Sequence, residues 1–298
     1  MMSILAGIAL WVSAWIGVSA IARTAAGARL SPLLVLALLP LPWVVHAPYP
    51  QRIMLAFALA LLLLSAVDFA VGRRPATFAG RLRYVIGFCA LIDSTTAVNV
   101  HRHFDRDAAR RIGIDLCAAA LAAGGWIAAS ALPATLRIPI RLAAVAAVVL
   151  VVAELNSNIV RLLSAACGVH FAAVHVHPYR SRTITEFWSR RWNLLGARWF
   201  RQHAFLPLRA RSVTLALFTL FGLSAAIHVY LIASVVPARW MAMCAAFFLS
   251  QPVLIIAERR LRVRTWPAHA ARVWTFTLLI ALLPLVLTPL LAALRLAL

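Results

Sequence analysis

An all-α polytopic membrane protein is the fold class that this chain predicts, and three observations carry it. Hydrophobic residues make up 64% of the 298 residues and charged residues only 12%, about half the charged share that a soluble domain of this length uses. Apolar runs close to the ~20 residues that a helix needs to cross hydrocarbon recur along the chain. The charge that remains gathers in the gaps between those runs.

Taken in order, the runs predict eight spans at 4–22, 31–46, 53–71, 112–132, 142–160, 212–236, 240–257 and 273–294. No Arg or Lys precedes the first run and no soluble domain follows it. It therefore reads as a retained span and not as a cleaved signal peptide. The shorter run 84–98 ends in DSTTAVN, so it reads as re-entrant or interfacial. No internal repeat, low-complexity tract or soluble linker interrupts the pattern. One integral domain over 1–298, with interfacial or re-entrant helices besides the spans, is the simplest organisation.

The formal net charge is +21, and all 29 basic residues are arginine. A charge of that size invites a nucleic-acid reading, but the distribution opposes it. With eight spans, one side of the membrane receives Arg23, Arg29 and the clusters at 73–111, 161–211 and 259–272, which is 24 of the 29. Arg52, Arg137, Arg141, Arg239 and Arg295 fall on the other. Such asymmetry predicts that the first set faces the cytoplasm and anionic lipid, with both termini outside. The absence of lysine points to a GC-rich bacterial genome, so a multi-pass protein of the bacterial inner membrane is expected, with membrane lipid and not nucleic acid as its partner.

Several chemistries find no support. The four cysteines, Cys89, Cys117, Cys167 and Cys244, lie apart in apolar settings with no CxxC spacing, and read as small hydrophobes. His170, His175 and His177 include an HVH spacing, but no Cys or carboxylate is near in sequence, and interfacial histidines explain them better than a metal site. No phosphate-cradling Gly loop, Gly-x-Ser-x-Gly elbow or nucleotide motif appears. Asp105 and Asp107 are expected to pair with the arginines around them. Glu154, Asn156 and Asn158 read either as interhelical bonds or as lining for a substrate route.

Two stretches stand apart. In TITEFWSRRWNLLGARWFRQH, residues 183–203, Thr183 and Glu186 fit a capping box, in which Glu186 would reach back to the amide of the cap. On one helix running from there, Trp188, Trp192, Leu195 and Trp199 would share a face, and Arg190, Arg191, Arg198 and Arg201 the opposite one. An indole stripe against an arginine stripe suits an interfacial helix. Asn193 fits neither stripe. Its helical neighbours would be Ser189, Gly196 and Ala197, small enough for a ligand or another backbone to approach the amide, and it either bonds a neighbouring helix or serves a ligand. In FGLSAAIHVY, residues 221–230, His228 falls near mid-membrane with Ser224 one turn away. An ionisable residue within a span is a functional candidate by default, and a neutral imidazole there would accept a proton as a general base does. The alternative is a neutral histidine bonding across helices.

The two stretches together resemble the membrane-bound O-acyltransferase superfamily, most closely its wax-synthase-like branch. That family carries an FWxRRWN-type motif, matched here by Phe187, Trp188, Arg190, Arg191, Trp192 and Asn193. A Ser-Gly-x-x-His helix follows, matched by Ser224 and His228, with Ala225 in place of the usual glycine and Val229 where an acidic residue is common. The resemblance covers about 178–230, the motif-bearing core. It implies that His228 is the catalytic histidine and Asn193 its partner, with Ser224, Trp188, Arg190, Arg191 and Trp192 on the substrate side. It also implies acyl-CoA as co-substrate, a lipophilic alcohol as acceptor, and no cofactor or metal. A transporter or channel using His228 and Glu154 is the alternative, but eight acidic residues in the whole chain supply few intramembrane carboxylates for it. A silent lipid-binding relative is a third reading, which the presence of both Asn193 and His228 opposes.

Overall fold

The computed structural model describes residues 2–86, 101–166 and 173–295. Among them, eight helices are long and apolar enough to span a bilayer: α1 (Ile4–Ile21), α2 (Ala25–Val44), α3 (Tyr49–Ala70), α4 (Arg106–Ala131), α5 (Ala134–Ala166), α6 (Val213–Ala233), α7 (Ala238–Arg260) and α8 (Ala268–Leu294). The protein is an all-α polytopic membrane protein. Its strand content among these residues is one two-residue parallel pair, Met2–Ser3 with Val45–His46.

Four of the eight spanning helices start at short polar side chains. Ser3, Thr24, Asp105 and Ser212 each accept a hydrogen bond from the amide three residues on, at 2.9–3.2 Å, satisfying a backbone donor that the first turn leaves open. Pro48 and Pro237 precede α3 and α7. These caps place two starts earlier than hydropathy does. The second helix begins at Ala25 and contains Arg29, and the fourth begins at Arg106. The fifth, at 33 residues, takes in Arg137 and Arg141, which the sequence pattern had left outside. Charged residues lower a hydropathy window without ending a helix, because arginine is a good helix former. The run 84–98 lies outside the described residues beyond Ile86, as do Cys89, Cys167 and His170. Of the other cysteines, Cys117 is exposed and Cys244 buried, both free.

Long-range contacts sort the connecting segments into two ends. At one end, Arg81 donates to the Ser19 carbonyl, His203 bonds Asp68, Arg161 pairs with Asp105 at 3.0 Å, and Glu258 holds the amide of Ile184. At the other, Tyr230 donates to the Leu39 carbonyl and the Arg295 guanidinium lies 3.9 Å from the centre of the Tyr49 ring. The first end is the one that collects the arginine-rich segments. The expected pairing of Asp105 and Asp107 holds in detail: both meet Arg161, and Asp107 also meets Arg111 at 2.9 Å.

The core that positions the site is built by α6, α7 and α8. Ala225, Ile232, Cys244, Phe247, Phe248 and Ala293 are buried together, and Trp188 from the segment before α6 packs against them. The hairpin α4–α5 packs chiefly on itself and leaves most of its apolar surface open, as helices facing lipid do.

Candidate active site

The segment 183–209 is not one helix. Thr183 caps a single turn, Ile184–Glu186, its hydroxyl accepting from the Glu186 amide at 2.9 Å. Glu186 reaches back to the amide of Arg182 at 2.8 Å, one residue before the cap amide that a capping box uses. The amides of Ile184 and Thr185 go elsewhere: both donate to the carboxylate of Glu258 on α7, at 2.7 and 3.1 Å, and the Thr185 hydroxyl adds a third bond at 2.6 Å. Glu258 is 4% exposed, and three donors on one buried carboxylate tie the motif to the bundle.

Residues Phe187–Arg191 then form a π-turn, with Trp192 N donating to Phe187 O at 2.8 Å. A π-turn brings residues five apart together, and Phe187 and Trp192 are stacked, 5.7 Å between centroids and 11° between planes. Asn193 ends the turn in the left-handed region, φ 41°, ψ 62°, a conformation that asparagine tolerates better than most side chains. A new helix, Leu194–Phe200, starts after it, followed by a second π-turn, Arg201–Phe205.

This break overturns the continuous indole stripe. Trp188 points into the bundle: its indole N–H donates to Gln251 of α7 at 3.0 Å, and its ring meets Phe221, Phe247 and Phe248. Trp192 turns the other way, against Phe187 and His175. Trp199 is buried under His203, with centroids 4.4 Å apart. The hydrophobic period failed because the extra residue in the π-turn and the left-handed Asn193 each rotate the faces that follow.

The imidazole of His228 lies on the Phe248 ring, 4.1 Å between centroids and 29° between planes. His228 is sixteenth of the 21 residues of α6, and Phe248 is eleventh of the 23 in α7. The histidine thus sits level with the middle of α7. Its Nδ1 is 2.7 Å from the Ser224 carbonyl oxygen. A carbonyl only accepts, so Nδ1 carries the hydrogen and, in the neutral ring, Nε2 carries the lone pair. Ser224 orients the ring, but through its backbone and not its hydroxyl.

The other expected site residues divide. Trp188 comes within one ring of His228, through Phe248. Arg191 is engaged structurally: it pairs with Glu186 at 2.6 Å and donates to the carbonyls of Val176 and His177. Arg190 is exposed. Trp192 stands beyond Phe187 from the histidine. Asn193 is exposed and caps the helix it precedes, its Oδ1 accepting from the Gly196 amide at 3.1 Å, which leaves Nδ2 as the free donor. A Cβ at Gly196 would lie 3.0 Å from that Nδ2, so the glycine is the space in which the amide is held.

A polar cavity of about 80 Å³ opens beside the motif, lined by Glu154, Asn158, Arg161, His175 and His177 among others. Asn158 donates to Asp115 on α4 at 3.1 Å, an interhelical bond. The side chain of Asn156 is outside the described residues. Burial pushes the His175 imidazole down to about 4, so it is neutral at physiological pH. Among the described residues no three His, Cys, Asp or Glu side chains gather closely enough to hold a metal ion.

Residues 172–250, which contain both Asn193 and His228, match the membrane bound O-acyl transferase family. Over this segment the chain is similar to the membrane-bound O-acyltransferases. A curated protein of Arabidopsis thaliana, described as a probable long-chain-alcohol O-fatty-acyltransferase 7, is similar at 29% identity over 118 residues. The similarity covers 35% of this chain and 35% of that protein's length. The segment matched to the acyltransferases stops just before Gln251 and Glu258, the two α7 side chains that anchor the motif. Sequence reasoning missed both. Gln251 within an apolar run was the available signal, whereas Glu258 before Arg259 and Arg260 looks like an ordinary helix end.

Proposed function

We propose that the protein transfers an acyl group from acyl-CoA to the hydroxyl of a lipophilic alcohol, with His228 as general base. The observation that carries this reading is the Nδ1–Ser224 hydrogen bond, which leaves Nε2 of a half-buried imidazole free to accept a proton. The alcohol hydroxyl gives its proton to Nε2 as its oxygen bonds to the thioester carbonyl carbon. When the carbon–sulfur bond breaks, the leaving thiolate of CoA takes that proton back, so ester and CoA form with no other reactant. The face of Phe248 supports the ring while it carries positive charge. Asn193 offers Nδ2 to the developing oxyanion, and the exposed Arg190 and its neighbours meet the phosphates of CoA. The alcohol class follows from the intramembrane depth of the histidine and from the similarity to the plant acyltransferase.

Incubating the reconstituted protein with radiolabelled palmitoyl-CoA and hexadecanol tests the reaction. Labelled ester is expected. Solute transport without ester would favour the channel reading, and neither activity would leave a silent lipid-binding relative.

The role given to Asn193 has its own test. Gly196→Leu should lower turnover ~10–100-fold, as a displaced catalytic group does, in a protein that still inserts and purifies. If Gly196→Leu and Asn193→Ala both keep full turnover, Asn193 is a helix cap and nothing more.

For donor phosphates to arrive at the motif, the arginine-rich end must face the cytoplasm. Single cysteines at positions 73, 102, 190 and 260 should then be labelled from the cytoplasmic side, and those at 137 and 239 from outside. Labelling of positions 137 and 190 from one side would overturn this orientation.

A further inference from the structure

The short helix Phe78–Ile86 lies across the ends of α1 and α3. Its Leu82 carbonyl accepts from the Trp15 indole at 3.2 Å, and its Tyr84 hydroxyl donates to Asp68 at 2.8 Å. The sequence FAGRLRYVI is amphipathic, and a helix of this kind at the end of two spans sits at headgroup depth. Arg81 turns inward from it and is 4% exposed. Its Nε donates to the Ser19 carbonyl at 2.5 Å, and its Nη1 to the carbonyls of Pro75 and Ala76 at 3.0 and 2.8 Å.

Those carbonyls satisfy N–H groups, but they carry no net charge to balance the guanidinium. Among the described residues, no carboxylate lies within 4 Å of Arg81 or of the nearby Arg23. A buried cation without a counter-charge is costly, and the position makes chemical sense if an anion completes it. The space for one is present. A cleft of about 400 Å³ is lined by Ala20, Ile21, Arg23, Phe78 and Arg81. The two arginines supply the charged part of its wall, and Ile21, Ala20 and the partly exposed Phe78 the apolar part.

We propose that this cleft binds the phosphate of an anionic phospholipid. The phosphate sits between Arg81 and Arg23 as a charge-assisted, hydrogen-bonded pair, and the acyl chains run along Ile21 and Phe78 into the bilayer. A basic pocket between spans at headgroup depth is where such lipids are held. The apolar wall selects a lipid over free phosphate, which would leave Ile21 and Phe78 uncovered. The site is separate from His228 and does not depend on the reaction proposed for it.

Thermal unfolding of the full chain in detergent tests the proposal, with phosphatidylglycerol, phosphatidylcholine, inorganic phosphate or CoA added separately. Phosphatidylglycerol should raise the melting temperature by about 5 °C relative to phosphatidylcholine at saturating lipid, and added salt should reduce the shift. Arg81→Gln should abolish it. Because Arg81 also ties Ser19 to the 75–76 turn, Arg23→Gln is the second variant: it breaks no ion pair, should melt normally without lipid, and should lose most of the shift. Equal shifts from the two lipids, or a full shift in Arg23→Gln, would overturn the site. A full shift from inorganic phosphate, or one from CoA that Arg23→Gln removes, would overturn its assignment to lipid.

Discussion

His228→Ala is expected to lose about 10²–10⁴-fold in turnover, the usual cost of removing a positioned base, with unchanged expression and an unchanged melting temperature. The imidazole has two contacts that define its task. The Ser224 carbonyl fixes which nitrogen carries the hydrogen, and Phe248 fixes the plane of the ring. The first lies within α6, and the second is one ring contact in the wider packing of α6 on α7, so the fold survives the loss. Turnover of labelled acyl-CoA with a long-chain alcohol, measured in liposomes alongside circular dichroism, checks both halves. A His228→Ala protein that still esterifies within a few-fold of wild type would remove this mechanism. His228→Asn should be no better than alanine, since an amide has no basic nitrogen to take the proton.

Glu258→Ala should do more damage to the fold than any other single change named here. It deletes an acceptor from two backbone amides and one hydroxyl at once. Hydrogen bonds to a charged group contribute about 1.5–3 kcal/mol each, and buried donors left unmet add their own penalty. With some relaxation allowed, a loss of roughly 3–5 kcal/mol is expected. The damage should spread to activity, because Ile184 and Thr185 are the last fixed points before the π-turn that aims Trp188 at Gln251. Glu258→Gln keeps one accepting oxygen and should fall between wild type and alanine. Melting temperature and turnover for the pair are the readouts. A wild-type melting curve for Glu258→Ala would show that the motif is held by its ring contacts instead.

The fold class and the number of spans were legible because burial in lipid imposes a minimum run of apolar residues, which composition reports directly. Helix ends were not, since Asp105 and Thr24 start helices through hydrogen bonds to which hydropathy is blind. At the site, Thr183 as a cap, Asn193 as the odd residue and His228 as the intramembrane imidazole could all be read from residue type and place. The faces of the motif could not. They depend on the π-turn at Phe187–Arg191 and the left-handed Asn193, and a period of 3.6 has no term for either. Arg191, which the resemblance placed on the substrate side, pairs with Glu186 five residues away across the π-turn. Gln251 and Glu258 lie more than 60 residues from their partners, beyond any local pattern.

The length of α5 sets a relation between the protein and the membrane that holds it. At 1.5 Å per residue its 33 residues measure about 50 Å, against a hydrocarbon layer of ~30 Å. A common tilt of ~20° shortens the crossing by only a few ångströms. One stretch of α5 must therefore stand outside the hydrocarbon, and the polar run Glu154–Arg161 is the part suited to it. Hydrophobic mismatch thus becomes a control on the small polar cavity beside His175. In a thin bilayer, Asp115, Asn158 and the Arg161–Asp105 pair sit among headgroups and water. A thicker one draws the same groups toward the acyl chains and removes the water that makes them inexpensive.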